Sequence, residues 1–320
     1  HCQLPGLVEL HCSAGLASAV EISGAVLGVG QSMTRMGVIG PGDRVGPSLV
    51  RTSGQTLWSG ATADRRGLLA AGSEIQLEDH TGLFDAARTR LLMEPPEDGL
   101  ASSVGAVCLA RMGFSRRAGE RLGRWMGQVR RNGELPSGSP EDGALLAWAA
   151  SEYVRWTGER GWLQEVQGPW SRLLDSLIDA RIGPGGASIF GLEGSPVWSQ
   201  IWQAAALLGG SAALRDVCSG HERWALAGGL VREKLHTLLG EGAWSMSPGR
   251  APDGSSAALL VAPWIGLVPL RHPGVETTME HIRSKHWHGG GVLLHGGAHT
   301  AATALFAGVQ SLVDPRQDAV

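Results

Sequence analysis

Four histidines lie in a glycine-rich stretch near the end of the sequence. The run KHWHGGGVLLHGGAHT contains His286, His288, His295 and His299, and their H-x-H and H-x3-H spacings suit a zinc or nickel ion. No acidic or cysteine residue lies within the run to complete a ligand set, and glycine-rich backbone holds ligands poorly in place. We therefore expect neither a metal site nor a cofactor, and we interpret the stretch as a loop whose histidines line a surface or groove.

The pattern of the sequence changes at about position 80. Residues 1–80 contain short runs rich in β-forming residues and broken by Gly, Pro and Ser, among them SAVEISGAVLGVG, which predicts short strands or decorating hairpins. From about Leu83 the apolar residues follow helical spacing, and the pattern predicts roughly eleven helices. The expected organisation is a small β-region over 1–80 and a helical domain over 81–320.

Two helix N-termini are predicted from their first residues. Ser139-Pro140 precedes Glu141 and Asp142, which is the order of a capping residue, a proline at the first helical position and acids in the first turn. Ser115 is the expected cap of another helix that ends at Gly133.

The predicted helices alternate in character. Very apolar helices such as ALLAWAASEYV and TAATALFAGV have more charged, amphipathic neighbours. A helix that is apolar on all sides is buried, and an amphipathic helix covers it. Repeated pairs of this kind predict a mainly α chain with two concentric rings of helices, an α/α toroid, preceded by the small β-region.

The overall composition excludes several classes of partner. The chain of 320 residues has a formal net charge of −3, whereas a surface that binds nucleic acid normally carries a basic excess. No run reaches the roughly 18 apolar residues of a membrane helix, and no signal-peptide pattern is visible. None of the four cysteines forms a C-x-x-C pair, which favours reduced thiols and a cytoplasmic location.

Tryptophan is unusually frequent among the aromatic residues. The sequence has 12 Trp but only one Tyr and four Phe. An indole offers a flat apolar face and an N–H donor, which suits contact with a sugar ring, although packing in a helical core explains most of these residues equally well. We select Trp148, Trp198 and Trp244 as candidate substrate-binding residues.

Residues 232–308 contain an ordered set of motifs. A helix leads to the segment DGSSAALLVAPW, followed by the turn GLVPLRHP, the helix start VETTMEHI and the glycine-rich GGGVLL. This order resembles that of the glucoamylase-type glycosidases (glycoside hydrolase family 15). A weaker similarity to glycogen-debranching-type enzymes covers 133–162, where the sequence reads NGELPSGSPEDGALLAWAASEYVRWTGERGWL. Residues 1–80 resemble no family that we recognise.

The resemblance implies a six-hairpin (α/α)6 toroid with its active site at one end of the inner helix ring. It also implies inverting hydrolysis by two carboxyl groups, an acid and a base. The family's acid is a Glu in a Gly/Trp-rich loop before a helix, and this position falls on Glu193 in GASIFGLEGSPVWSQIW. Apolar neighbours would raise the pKa of such a Glu by desolvation, as a general acid requires.

The family's catalytic base has no counterpart in this sequence. Where the family carries the Glu of an E-G-A-F motif, this chain has Gly296. Asp142 and Glu141, at the start of a predicted inner helix, could supply a base instead. Asp253 and Glu241 are further candidates, and we select Asp142. Three further residues near the expected mouth of the toroid are candidate substrate-binding residues: Asp253, His295 and His299.

Three hypotheses of function stay open. The first is a glycoside hydrolase that acts on gluco-oligosaccharides or a polysaccharide by acid/base catalysis. The second is a degenerate toroid that binds a glycan without turnover, since the usual base is missing. The third is an enzyme similar to the sugar epimerases, in which His295 or His299 transfers protons, because imidazole titrates near neutrality. The sequence does not determine the sugar, the linkage or the oligomeric state.

Overall fold

The structure is a computed structural model of the whole chain. It describes residues 81–93, 99–179, 196–246, 249–294 and 297–313, together with residues 69–70 and 72 and six short strands before residue 39. Packing divides the chain into two compact units, His1–Arg90 and Leu91–Val320.

The N-terminal unit contains short antiparallel strands. Two three-stranded sheets form, with the orders β1-β2-β6 and β3-β4-β5. The hairpin predicted from SAVEISGAVLGVG is present, with Ser18 opposite Val29 and Ile22 opposite Ala25. The strands are β1 (Cys2–Leu4), β2 (Leu7–Val8), β3 (Ser18–Ile22), β4 (Ala25–Gly30), β5 (Met33–Thr34) and β6 (Gly37–Val38). The strands predicted near residues 47–60 and 73–80 lie outside the described residues.

The rest of the described chain is mostly helical, as predicted. The helix predicted over 255–266 is instead a 3-10 helix, Gly254–Leu260, that runs into a short α-helix. None of the described helices is long and apolar enough to span a membrane. The α-helices are α1 (Thr81–Met93), α2 (Gly99–Arg111), α3 (Ser115–Met126), α4 (Pro140–Thr157), α5 (Arg160–Asp179), α6 (Pro196–Leu214), α7 (His221–Leu239), α8 (Val261–Trp264), α9 (Pro273–Lys285) and α10 (Thr300–Val313).

Helix α4 is buried between α2 and α6, and it runs parallel to α6. Near its start, Glu141 contacts Ser199. Further along, Ser151 lies so close to Gly209 that a Cβ at Gly209 would overlap its hydroxyl. In both pairs the partner lies 58 positions further along the chain, so the two helices are aligned in register and their N-termini lie at the same end.

The amphipathic helices cover these apolar ones. α3, α5 and α7 each follow a buried helix and pack against it. In α4 nearly every side chain from Glu141 to Tyr153 is buried, whereas α7 buries only Trp224, Gly228, Leu235 and Leu239. The alternation of buried and covering helices that the sequence predicted is therefore confirmed for this part of the chain.

Tryptophan supplies the largest pieces of the hydrophobic core. Within the described part of the chain, five indoles are fully buried: Trp170, Trp198, Trp202, Trp224 and Trp244. Burial of such a side chain contributes roughly 1.5–3 kcal/mol, and edge-to-face pairs such as Trp198 on Trp202, with ring centroids 5.4 Å apart, add to this. Core packing therefore accounts for much of the unusual tryptophan content.

The prediction for helix α3 is wrong at both ends. Phe114 occupies the N-cap position without a side-chain cap, and Ser115 is the first helical residue. The helix ends at Met126 rather than at Gly133. Gly133 adopts a φ of +85° and lies against the backbone of Arg172, where a Cβ would overlap the carbonyl oxygen. Glycine is therefore needed there for a close approach of two chain segments, not to end the helix.

The histidine-glycine stretch is a small antiparallel sheet, and our interpretation of it as a loop is wrong. Its strands are β7 (Trp287–His288), β8 (Gly291–Leu294) and β9 (Gly297–Ala298). Gly289 and Gly290 have φ values of 58° and 83° and form the two-residue turn between β7 and β8. Such a turn requires positive φ at both central residues, which glycine adopts readily.

Candidate active site

The N-terminal ends of α4 and α6 meet at a buried carboxyl group. Ser139 caps α4 by accepting a hydrogen bond from the backbone N–H of Asp142, at 3.3 Å. The side chain of Glu141 reaches across to the first turn of α6. Its Oε1 accepts a hydrogen bond from Trp198 Nε1 at 2.6 Å, and its Oε2 accepts one from Ser199 Oγ at 3.1 Å. Only 2% of Glu141 is exposed.

The surroundings of Glu141 favour its protonated form. Burial raises the pKa of this carboxyl, and the neighbouring charge of Asp142 raises the pKa further. The hydrogen bonds from Trp198 and Ser199 act in the opposite direction, because they stabilise the carboxylate. Since both oxygens are engaged by α6, Glu141 joins two helices and positions their N-termini. Sequence reasoning named Glu141 beside Asp142 as a candidate base and did not predict that its carboxyl is buried against α6.

Asp142 differs from its neighbour in what its carboxylate contacts. The residue is only partly buried, and its side chain makes no hydrogen bond or ion pair with the part of the chain that the structure describes. The N-termini of the parallel helices α4 and α6 lie at this end, and each carries a partial positive charge that favours the carboxylate of Asp142. Asp142 is therefore a carboxylate at this end of the helices that no other described side chain engages.

The candidate acid lies outside the described residues. Glu193 belongs to the segment 180–195, and His295 and Gly296 are likewise outside the described part of the chain. The first turn of α6, which begins at Pro196, holds the residues that bind Glu141. The proposed roles of Glu193 and His295 therefore stay predictions.

Asp253 caps the 3-10 helix. Its Oδ1 accepts hydrogen bonds from the backbone N–H of Ser255, at 2.8 Å, and from the Ser255 hydroxyl. Ser256 Oγ accepts a hydrogen bond from the backbone N–H of Asp253 at 3.2 Å, which completes a capping box. Asp253 is exposed, and contact of its carboxylate with a sugar stays a prediction.

Two other histidines lie next to Asp253. The rings of His281 and His286 have centroids 5.4 Å apart, and His281 Nε2 lies 3.0 Å from the carbonyl oxygen of Pro252. Burial lowers the pKa of His286 and the charge of His281 lowers it further, whereas Asp253 raises it. His286 is therefore held in its neutral form at a pH where a solvated histidine begins to protonate.

His299 stands at the start of α10. Its Nδ1 accepts a hydrogen bond from the backbone N–H of Ala302 at 3.2 Å, as the side chain of a helix N-cap does. Among the described residues, no group of three or more His, Cys, Asp or Glu side chains is arranged to hold a metal ion. His299 therefore has a structural role, and its contact with a substrate stays a prediction.

The three candidate tryptophans lie in different surroundings. Trp198 is fully buried and donates to Glu141. Trp244 is also buried, and its Nε1 donates to the carbonyl oxygen of Gly240 at 3.2 Å. Trp148 is 4% exposed and lines a cavity at the far end of α4. A role in sugar binding stays a prediction for each of them.

The fold is shared with solved glycosidases. One glycosidase variant, solved in complex with glucose, is 17% identical with a TM-score of 0.61, and the match covers 77% of this chain and 83% of that one. A second glycosidase variant is 18% identical with a TM-score of 0.58, over 69% of this chain and 71% of that one. A third gives the same values as the first. No protein-family model and no curated protein sequence matches the chain. At these identities the comparison establishes a glycosidase-like fold.

Proposed function

We propose that the chain is a glycoside hydrolase of the glucoamylase type that acts on gluco-oligosaccharides, with its helices completing an (α/α)6 toroid. The observation that carries this proposal is the arrangement at the start of α4. There Asp142 presents an unengaged carboxylate beside the first turn of α6, and a buried carboxyl, Glu141, holds the two N-termini together. The likeness to glycosidases, one of them solved with glucose, supports a glucose-containing substrate.

The proposed acid is Glu193. It precedes Pro196 closely in the sequence, so its Cα lies within about 11 Å of the start of α6. Trp198, in the first turn of α6, contacts the residue next to Asp142. This chain length is compatible with the separation of about 6.5–9.5 Å between carboxyl groups that inverting hydrolysis requires. In this proposal Glu193 protonates the leaving oxygen while Asp142 takes a proton from the attacking water.

Asp142 would act in place of the Glu that relatives carry where this chain has Gly296. A base at the start of α4 approaches the sugar from a different inner helix, so the substrate must be held differently from that of a glucoamylase. Asp253 and His299, at the starts of other helices, and His295 are the proposed sugar-binding residues of this mouth.

A screen with product detection tests the proposal. The protein is incubated with a panel of α- and β-linked gluco-oligosaccharides, and released sugars are quantified. We expect turnover of at least one substrate, with a loss of about 10²- to 10⁴-fold in Glu193→Gln and in Asp142→Asn. Glu165→Gln is the matched control, since Glu165 is an exposed acid on α5, away from these N-termini, and it should keep full activity.

A glycan-binding toroid without activity is the second candidate. Gly296 in the position of the usual base favours it. In that case calorimetry detects binding of an oligosaccharide with no product, and the Glu193 and Asp142 variants bind as the wild type does. Absence of both product and binding from a folded protein would overturn both candidates.

A further inference from the structure

A cavity of about 620 Å³ lies at the opposite end of the same helices. Its walls are the C-terminal half of α4, the first turn of α5, the second half of α6 and residues 265–267. Apolar side chains dominate the lining, including Leu163, Leu208 and Leu267. The volume falls within the roughly 300–1,000 Å³ of small-molecule sites. This cavity is distinct from the proposed sugar site, because it lies along the C-terminal half of α4, whereas Asp142 is in the first turn of that helix.

The lining is poorly suited to a sugar. A buried sugar ring needs several hydrogen-bonding partners for its hydroxyl groups, since an unpaired polar group is costly to desolvate. Here apolar side chains outnumber polar ones, and the two buried polar side chains are already engaged, Ser151 by the carbonyl oxygen of Trp148 and Glu152 by two arginines. The exposed arginines Arg160 and Arg232 mark the entrance. The chemistry that fits is an apolar body with one polar end.

The charge at the entrance favours an anionic end. Glu152 also lines the cavity, but its Oε2 is bound by Arg111 at 2.7 Å and by Arg155 at 2.8 Å. The carboxylate of Glu152 is therefore already compensated. Arg160 and Arg232 form no ion pair with the described residues. The remaining acid of the lining is Asp216, so the lining carries a net excess of one positive charge.

Arg111 is held in place by two tryptophans. Its guanidinium lies 5.2 Å from the ring centroid of Trp156 and 5.2 Å from that of Trp264. Both indoles are partly exposed, at 54% and 38%, and stacking on an arginine is a favourable use of their faces. The sandwich keeps Arg111 on Glu152, so this acid does not repel an anion at the entrance.

We propose that this cavity binds an amphipathic organic anion. The alkyl or aryl body lies among the leucines, and a carboxylate or phosphate lies between Arg160 and Arg232. The free carbonyl groups at the C-terminal ends of α4 and α6 favour a cation instead. An alkylammonium ion is therefore the most informative ligand for comparison. The two arginines outweigh these partial charges because each carries a full positive charge on a mobile side chain.

Calorimetry with four ligands of one chain length tests the proposal. Octanoate, octyl phosphate, octylammonium and octanol are titrated separately into the full chain. We expect both anions to bind more tightly than octanol, and octylammonium to bind most weakly. The relative affinity of octanoate and octyl phosphate distinguishes a carboxylate site from a phosphate site. Binding of octanoate no tighter than that of octanol or octylammonium would overturn the proposal.

Variants locate the site. Arg160→Gln and Arg232→Gln should each weaken octanoate binding by about two- to fivefold, as expected of ion pairs at an exposed rim, and should leave octanol unchanged. Ala212→Trp, an exposed position of the lining, should weaken both ligands by filling the entrance. Arg250→Gln removes an exposed arginine elsewhere and should change neither. Octanoate binding that is unchanged in both arginine variants would contradict the proposal. Because Arg160 and Arg232 are exposed, the test stays valid even if Ala212→Trp does not fold.

Discussion

Trp198 Nε1 donates a 2.6 Å hydrogen bond to Glu141 Oε1, across 57 positions of sequence. With the bond from Ser199 to the other oxygen, this contact ties the first turn of α6 to the first turn of α4. Asp142 follows Glu141 in the sequence, and Glu193 precedes Trp198 by five positions. Asp142 and Glu193 are the two residues for which we propose catalytic roles. A buried polar network of this kind holds a unique geometry only if every member is satisfied.

Removal of the Glu141 carboxyl should destabilise the fold. Glu141→Ala removes the hydrogen-bond acceptor of the buried indole N–H of Trp198, which costs about 1–3 kcal/mol in addition to the lost packing. Glu141→Gln keeps an acceptor for Trp198, and the Ser199 hydroxyl can rotate to accept from the new amide. We expect denaturant unfolding to show a clear loss in the alanine variant and a much smaller change in the glutamine variant. Equal losses in both variants would contradict the assigned hydrogen bonds.

Glu141 should also give the stability a specific pH dependence. Burial raises its pKa in the folded state above the ordinary value of 4.5. At a pH below 4.5 the Glu141 carboxyl is protonated in the folded and in the unfolded chain. As the pH rises above this value, the unfolded chain releases its proton first, and the unfolded state is thereby favoured. The folded state therefore loses stability until the pH passes the raised pKa of Glu141. Glu141→Gln cannot ionise. The free energy of unfolding of Glu141→Gln minus that of the wild type should therefore rise from about pH 4.5 upward and then level off. A difference that stays constant from about pH 4 to about pH 8 would contradict this prediction.

The sequence predicted the local features of this region and not the long-range ones. Ser139-Pro140 marks a helix start through contacts within one turn, and the hydrogen bond from Asp142 to Ser139 confirms it. The pairing of Glu141 with Trp198 depends on the register of two helices that are far apart in sequence, and no local pattern encodes that register. The one available signal was that α4 is apolar on all sides, which implies that a first-turn acid in it is buried too.

Short elements were predicted least well. The run from Gly254 to Trp264 has helical spacing, but the 3-10 turn was not visible because its capping box, formed by Asp253 and Ser256, is also that of an α-helix. The Gly289-Gly290 pair is a signal for a hairpin turn, but we interpreted the glycine-rich run between two helices as a loop. The flanking strands are only two and four residues long, too short to show a clear alternation of apolar and polar residues. The predicted roles of Glu193 and His295 concern residues outside the described part of the chain.

Gly254 should tolerate no side chain. A Cβ at this position would overlap the carbonyl oxygen of Leu293 in β8, and backbone cannot move aside as a flexible side chain does. Gly254→Ala should therefore cost about 1–3 kcal/mol by overpacking, measured as a lowered unfolding midpoint. Gly242→Ala is the matched control, since a Cβ at Gly242 would meet no atom within 4 Å. An unfolding midpoint of Gly254→Ala equal to that of Gly242→Ala would show that β8 and the 3-10 helix pack less closely than the structure indicates.

His286 should titrate below the ordinary histidine value of 6.5. Burial is the larger cause, and the charge of His281 adds to it, while Asp253 opposes both. Asp253→Asn should therefore lower the pKa of His286 further, and His281→Gln should raise it without restoring the ordinary value. Titration of the ring resonances by NMR measures each shift, with Asp216→Asn as a distant control. A rise of the pKa in Asp253→Asn would contradict the arrangement.

Asp142 has two roles to separate, a catalytic base and a first-turn acid that stabilises α4. The second role is worth about 0.3–1 kcal/mol at a helix N-terminus, whereas the loss of a general base lowers turnover by about 10²- to 10⁴-fold. In Asp142→Asn we therefore expect a small loss of stability and a large loss of turnover on any oligosaccharide that the wild type hydrolyses. Ser139→Ala provides the comparison, because it removes the helix cap at a cost of about 0.5–2 kcal/mol and leaves the carboxylate in place. If Ser139→Ala and Asp142→Asn reduce turnover equally, Asp142 acts through the helix and the base lies elsewhere.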